Sequence, residues 1–358
     1  MVADNLFEPV ALGDLEMSNP IVMAPMTRSR AGAGDEPTEL MARYYAQRAT
    51  AGLIVTEGTQ PSAAGKGYCR TPGISTPAQC DGWSSVADAV HEKGGKIVLQ
   101  LMHCGRVASR VNKADDSDIV APSAVRAGGT IFTDAAGLVE MDMPRALDLA
   151  EIPQVVEEFA QAARNARAAG LDGVELHCAS GYLPMQFLSP NANRRTDAYG
   201  GSVANRIRFT VEVLEAIAAE IGPGRVGFRI CPGFAFNDVH DDDPVTTYSA
   251  LLKAVSPMNL AYLHLIRLVD EQFDSLDIVT RSWNGRTILN NGLNVSSASE
   301  LLASGAADAV SFGRDFIANP DLVRRFREGL ALASFNPAQL YTSGAQGYVD
   351  YPTYSPSA

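Results

Sequence analysis

The amino-acid sequence predicts an α/β protein built as a single eight-stranded (β/α)8 barrel, the TIM-barrel architecture. Eight short apolar runs alternate with helix-like segments, and these runs are nearly continuous rather than alternating with polar residues. No Gly-x-Gly-x-x-Gly turn follows an early strand. Continuous apolar strands are typical of a parallel sheet buried on both faces. Unbroken β–α alternation favours a closed barrel over a doubly wound sheet, which is the alternative.

The predicted strands follow from the apolar runs in chain order. They lie at 21–26, 53–57, 96–101, 173–177, 226–230, 261–265, 287–290 and 309–313. Helical periodicity between them predicts helices at 38–50, 84–94, 151–169, 203–221 and 296–304. A length of 358 residues is normal for one such barrel with insertions, so we expect a single domain over 1–358.

Two stretches do not fit the strand–helix repeat. The segment 105–150, after the third strand, is rich in Gly, Asp and Ser and is too long for a plain loop. We interpret it as an insertion that caps one end of the barrel. A hairpin would suit this role. The tail after about residue 335 is rich in Tyr, Gly and Pro, and we expect it to fold back over the barrel.

Charge and cysteine content limit the partners and the compartment. The net charge of −12 argues against nucleic acid or an anionic membrane, so a phosphate site must be built locally from a few Arg residues and backbone N–H groups. The five cysteines are scattered without a CxxC pair, which favours reduced thiols over disulfides or a metal site. No secretory signal or apolar run of roughly 20 residues is present. We therefore expect a cytoplasmic protein without bound metal.

Polar residues and glycines stand at the carboxyl ends of the predicted strands, where barrel enzymes carry their chemistry. They are Thr27, Arg28, Glu57, Gln100, His103, His177, Arg229, Asn290, Asn291, Gly313 and Arg314. Asn291 and Gly292 end the seventh strand, and Gly313 and Arg314 end the eighth. Loops after these strands are the usual phosphate site of the fold, because glycine lets backbone N–H groups approach and Arg adds a charge-assisted contact. The pattern predicts a phosphate-bearing ligand.

Several motifs along the chain resemble those of the Old Yellow Enzyme family. The resemblance covers essentially the whole chain in the right order, and Thr27, rather than Cys, is similar to the classical branch of the family. The motifs lie at 24–28 (Ala-Pro-Met-Thr-Arg), 100–106 (Gln-Leu-Met-His-Cys-Gly-Arg), 188–190 (Leu-Ser-Pro), 195–202 with 205–206, 312–322 and 347–352.

The resemblance implies noncovalently bound FMN as the cofactor, with NADPH or NADH as the reductant. Thr27 would hydrogen-bond the flavin carbonyl next to N5, and Gln100 and Arg229 would contact the pyrimidine edge. The backbone of residues 24–26 (Ala24, Pro25 and Met26) and Gly58 would line the ring. The phosphate would be held by residues of the last two strand ends, Asn291, Gly292, Gly313 and Arg314.

The resemblance also implies the catalytic residues, which follow the fourth strand. His177 would donate a hydrogen bond to the carbonyl or nitro oxygen of an activated alkene, and Tyr182 would protonate the α-carbon. The reaction would be a ping-pong hydride transfer from NAD(P)H to a small electrophilic alkene or nitro compound. Met102 and Tyr341 would line the substrate pocket. The protein would act as a monomer or a homodimer.

Three residues depart from the family pattern. Ser180 replaces the usual Asn or His that completes a two-donor clamp, Met102 replaces a frequent Trp, and Cys231 replaces Ser in the Arg-x-Ser-Pro run. The loss of one donor to a developing oxyanion can slow an enzyme about 10²–10³-fold. Ser180 therefore leaves alternatives open: a nitro, nitrate-ester or quinone reductase, an isomerase of the same fold, or a weakly active flavin redox or binding module. An intact Tyr182 argues against the isomerase.

Overall fold

Eight parallel strands form a closed barrel in the computed structural model, which describes residues 4–114, 117–270 and 273–355. The barrel closes where the eighth strand pairs with the first, with Val310 opposite Ile21. All eight predicted strands are present, so the barrel prediction is confirmed. Their bounds are Ile21–Met23, Leu53–Val55, Ile97–Leu101, Gly173–His177, Val226–Ile230, Tyr262–Ile266, Thr287–Asn290 and Ala309–Phe312.

Helices connect the strands, and the five predicted helices are present, four of them with shifted ends. They are Glu39–Ala46, Pro77–His91, Ile152–Ala168, Val203–Ile221 and Val295–Ala303. The second begins earlier than predicted because Thr76 and Gln79 form a reciprocal capping box with Pro77 in the first turn. The further helices are Leu183–Leu188, Pro244–Val255, Ser275–Ser282, Arg314–Ala318 and Leu322–Glu328.

An antiparallel hairpin closes the amino-terminal end of the barrel. It pairs Val10–Leu12 with Leu15–Met17. Its buried side chains, among them Leu15, form one apolar cluster with barrel residues such as Val22 and Leu53. The sequence analysis did not predict this hairpin, because two three-residue strands are too short to show a clear period.

The predicted insertion and the tail lie at the opposite end of the barrel, where the strands end. Within the insertion, Thr130–Thr133 pairs antiparallel with Gly137–Glu140, which confirms a capping hairpin. The tail folds back because Arg28, buried at 1% exposure, donates hydrogen bonds to the carbonyl oxygens of Leu340 (3.2 Å) and Gly347 (2.7 Å). The assignment of 1–358 to one FMN-binding domain stays a prediction. In the described parts of the chain, no helix is long and apolar enough to cross a bilayer.

Candidate active site

A cavity of about 990 Å³ opens at the carboxyl ends of the barrel strands. The barrel rim, the capping hairpin and the tail enclose it. Residues from distant parts of the sequence, all predicted as site residues, share its lining: Pro25, Thr27, Gly58, Gln100, Met102, His177, Ser180, Tyr182 and Tyr341. The structure therefore brings the predicted catalytic and substrate residues together with one part of the predicted cofactor residues.

A buried polar network spans the barrel beneath this cavity. Strand register produces it, because Gln100 lies opposite Glu175 and Arg229 lies opposite His264 in neighbouring strands. Gln100 Nε2 donates to Glu175 Oε1 at 2.8 Å, and the other carboxylate oxygen lies 2.8 Å from His264 Nδ1. His264 Nε2 lies 2.8 Å from Ser311 Oγ and 3.1 Å from Arg229 Nη1. Sequence analysis missed Glu175 and His264, which lie inside strands rather than at their ends.

The charges of this network can be assigned from its contacts. Burial, and then the Arg229 charge, lower the pKa of His264 to about 4, so its imidazole is neutral at pH 7. Burial opposes ionisation of Glu175, but His264, Arg229 and Gln100 outweigh it and lower its pKa. Ionised Glu175 only accepts hydrogen bonds, so the His264 proton lies on Nδ1. Arg229 therefore has a buried counter-charge, and Asn290 Oδ1 accepts from its Nη2 at 2.8 Å.

His177 and Tyr182 meet at the inner wall of the cavity. Their ring centroids lie 4.8 Å apart at an interplanar angle of 71°. The backbone N–H of Ala179 donates to His177 Nδ1 at 3.3 Å, which favours the tautomer with its proton on Nε2. Burial and Arg229 lower the pKa of His177 to about 3. Burial also raises the pKa of Tyr182 well above its usual value, so both residues are neutral donors at pH 7.

Two further residues, Tyr68 and Asn237, complete this wall. Tyr182 Oη donates to Tyr68 Oη at 3.2 Å, and the rings are perpendicular at a centroid distance of 6.3 Å. Asn237 Nδ2 donates to the carbonyl oxygen of Ser180 at 2.8 Å. Sequence analysis missed both, because they lie in irregular loops. The only signal was that Asn237 shortly follows the fifth strand, where loop residues reach the site.

Ser180 occupies a strained turn beneath the inner wall. Its φ is 59°, in the left-handed region, and the next residue, Gly181, has a φ of 81°. Sulfur atoms accept from both backbone N–H groups: Cys231 Sγ lies 3.2 Å from the nitrogen of Ser180, and Met185 Sδ lies 3.1 Å from that of Gly181. Cys231 thus contacts the turn that carries Ser180, so two departures from the family pattern touch each other.

Glu57 fixes the segment that carries Thr27. Its Oε2 accepts from the backbone N–H of Arg28 at 3.2 Å, and its Oε1 accepts from the hydroxyl of Tyr45 at 3.4 Å. Burial raises the pKa of Glu57 to about 7. This carboxyl group therefore holds the backbone next to Thr27 rather than facing the cavity.

The residues predicted to bind phosphate lie outside the large cavity. Asn291, with a φ of 92°, and Gly292 line a separate depression of about 620 Å³ together with Arg267. Gly313 precedes the short helix Arg314–Ala318, and a Cβ at Gly313 would lie 3.4 Å from Met26 Sδ. Ala24 donates from its backbone nitrogen to the carbonyl oxygen of Phe312 at 3.0 Å. These contacts join the ends of the first and eighth strands.

Neutral hydrogen-bond donors above a buried Arg–Glu network suit an enzyme whose flat cofactor or substrate takes up negative charge. The family model described as the NADH:flavin oxidoreductase / NADH oxidase family matches residues 5–333. The chain belongs to this family, the Old Yellow Enzyme family of NAD(P)H-dependent flavin oxidoreductases, with FMN as cofactor.

Individual relatives resemble the chain over nearly its whole length. 12-Oxophytodienoate reductase 1 of Oryza sativa subsp. japonica is 39% identical, covering 97% of this chain and 92% of the relative. A protein of Leishmania infantum named probable flavin mononucleotide-dependent alkene reductase is 40% identical, covering 98% and 97%. The solved old yellow enzyme homologue from Zymomonas mobilis is 40% identical with a TM-score of 0.94, covering 98% and 99%. Morphinone reductase in complex with tetrahydroNAD is 43% identical with a TM-score of 0.93, covering 98% of each chain.

The residues of the rim fit FMN. Pro25 and Gly58 offer a wall with little side-chain bulk, and Thr27 and Gln100 add polar groups to it, which suits a flat heteroaromatic ring. Beyond this wall, Gly292 has a φ of 70° with open space where a Cβ would lie. Arg314 is exposed, and it forms none of the ion pairs found among the described residues. Glycine backbone with an unpaired Arg suits the phosphate group.

Proposed function

We propose that the chain reduces electron-poor C=C bonds in α,β-unsaturated carbonyl or nitro compounds, with NADPH or NADH as the electron donor. The observation that carries the proposal is the pair His177 and Tyr182, two neutral donors facing one cavity above Arg229. The names of the relatives from Oryza sativa and Leishmania infantum support alkene reduction.

FMN, when bound, would supply the redox chemistry that links oxidation of the nicotinamide to reduction of the substrate's C=C bond. His177 Nε2–H donates to the carbonyl or nitro oxygen and stabilises the negative charge that develops there. Because His177 is neutral, it polarises this oxygen without transferring a proton. Tyr182 holds a proton at its phenolic oxygen and delivers it to the α-carbon.

We further propose how the predicted cofactor residues act. Thr27 would offer its hydroxyl to the flavin carbonyl, and Gln100, held by Glu175, would offer its amide to the pyrimidine edge. Arg229 stabilises negative charge at the same edge, since its guanidinium is fixed by His264 and Asn290. The backbone and side chains of the last two strand ends would hold the phosphate: Asn291, Gly292, Gly313 and Arg314.

We also propose that the protein acts in the cytoplasm, as a monomer or a homodimer, and does not bind nucleic acid. The net charge of −12 opposes binding to polyanions. All five cysteines are free thiols, as expected in a reducing compartment.

Anaerobic stopped-flow absorbance of the flavin tests the proposed reaction. We expect NADPH or NADH to bleach the flavin and cyclohexenone to restore it rapidly. The Tyr182→Phe variant should bleach normally but recover about 10²–10⁴-fold more slowly, the usual contribution of a positioned acid. Bleaching without recovery in the wild type would move the assignment from C=C reduction to the reduction of quinones or of nitro groups. Recovery at the same rate in Tyr182→Phe would remove Tyr182 from the mechanism.

A further inference from the structure

Glu175 is a fully buried carboxylate in the middle of the fourth barrel strand, and it does not line the active-site cavity. Its neighbour in the fifth strand is Gly227, where a Cβ would lie 2.2 Å from Tyr262 Cζ. The missing side chain therefore gives the ring of Tyr262 room to pack inside the barrel. An ionised carboxylate in such a position is unfavourable unless its contacts compensate it.

The hydrogen bonds of Glu175 connect it to the residues proposed to contact the pyrimidine edge of FMN. One carboxylate oxygen accepts from Gln100 Nε2 at 2.8 Å, and Gln100 lines the cavity. The other accepts from His264 Nδ1 at 2.8 Å, and His264 Nε2 lies 3.1 Å from Arg229 Nη1. One carboxylate thus holds Gln100 directly and Arg229 through a neutral imidazole.

Glu175 also supplies the counter-charge of Arg229. The guanidinium is buried and forms none of the direct ion pairs found among the described residues. Burial lowers the pKa of Arg229, and the charge of Glu175 opposes this shift. Because His264 is neutral, Glu175 and Arg229 carry the two charges of the network, and these charges offset each other. Water screens them little in the barrel interior, so the balance between them extends to the cavity.

We propose that Glu175 is a positioning residue that sets the reduction potential of bound FMN. Its charge offsets that of Arg229 and so limits the stabilisation of negative charge on the reduced flavin. A lower potential makes the reduced flavin a stronger reductant and makes its own reduction by the nicotinamide less favourable. The inference rests on the proposed placement of Gln100 and Arg229 at the pyrimidine edge, and it does not depend on which substrate is reduced.

The reduction potential of the FMN-loaded protein tests the proposal without an alkene. It is measured by anaerobic reductive titration against a reference dye of known potential. Glu175→Gln keeps the size of the side chain and removes its charge. Reduced FMN should then gain at least about tenfold in affinity relative to oxidised FMN, because a neighbouring charge shifts a buried equilibrium by this much. A tenfold gain raises the two-electron potential by about 30 mV.

Two further variants separate charge from a loss of structure. Glu175→Asp keeps the charge and should keep the potential close to that of the wild type. Asp172→Asn is the matched control, since Asp172 is a buried carboxylate just before the same strand, bonded to His91 (2.8 Å) and Lys96 (2.9 Å). An unchanged or lowered potential in Glu175→Gln, or an equal rise in Asp172→Asn, would overturn the inference.

Arg229→Gln completes the test. Adding it to Glu175→Gln should lower the potential again, and no such fall would show that the proposed placement of Arg229 is wrong. If Glu175→Gln alone does not retain FMN, the double variant should have a higher potential than Arg229→Gln alone. Removing both charges is tolerated better than leaving one unpaired. The potential does not require turnover, so a failure of cyclohexenone to reoxidise the flavin would overturn the proposed reaction alone.

Discussion

Ser180 stands where the family pattern places the second donor of the proposed clamp for the substrate oxygen. Its left-handed φ of 59° is a conformation that Asn tolerates better than most residues. We predict that Ser180→Asn binds phenol about tenfold more tightly, because an amide adds one donor worth about 1.4 kcal/mol in this enclosed site. Titration of flavin absorbance measures the affinity. Ser180→Ala is the control, and equal affinity in all three proteins would show that the clamp does not limit binding.

The protonation states of His177 and Tyr182 give a prediction for the pH profile. The pKa of His177 is lowered to about 3 and that of Tyr182 is raised, so neither group titrates between about pH 5 and 9. The lowered pKa of His177 means that its neutral donor form persists as the pH falls toward 3. Neither His177 nor Tyr182 should therefore cause a step in the rate of flavin reoxidation by cyclohexenone over this range. A step near pH 6.5 that His177→Gln removes would show that His177 titrates like a solvated imidazole.

At the scale of elements, Arg70 joins three segments that border the cavity. It donates to the carbonyl oxygens of Ser29 (3.0 Å) and Tyr341 (2.6 Å) and pairs with Asp134 of the capping hairpin. We predict that Arg70→Met speeds amide hydrogen exchange in 130–140 and 339–343 about tenfold, since these contacts together are worth about 1–2 kcal/mol. The control is Arg286→Met. Arg286 lies at the start of the seventh strand, and this variant breaks its ion pair with Asp308. Unchanged exchange would mean that other contacts hold the hairpin and the tail.

The elements also show how far the sequence could specify the structure. The helix Val203–Ile221 matches its prediction at both ends because Ser202 caps its start and Gly222, with a φ of 85°, ends it. Leu183–Leu188 was missed because all its residues are buried, so it has no amphipathic period. Residues after strands could be predicted as a site, since a barrel brings strand ends together. Tyr68 and Asn237 could not, because irregular loops fix their positions.

At the scale of the whole molecule, the two ends of the barrel have separate roles. The residues of the proposed site stand at the carboxyl end, while the hairpin at the amino end packs its apolar side chains against the barrel interior. Apolar packing away from the site allows the strained turn at Ser180 to persist. The strain costs about 1–3 kcal/mol, and packing elsewhere in the barrel offsets it.

The amino-terminal hairpin tests this division of roles. Leu15 is 1% exposed and packs in the apolar cluster beneath the barrel, so Leu15→Ala should lower the free energy of unfolding by about 2–5 kcal/mol. Affinity for phenol should stay unchanged, because the cluster lies at the end of the barrel opposite the cavity. Urea denaturation at a fixed FMN concentration measures stability, since bound cofactor adds to it by mass action. His177→Ala should do the reverse, losing phenol affinity with a smaller change in stability. A loss of phenol affinity in folded Leu15→Ala would show that the two ends are coupled through the barrel.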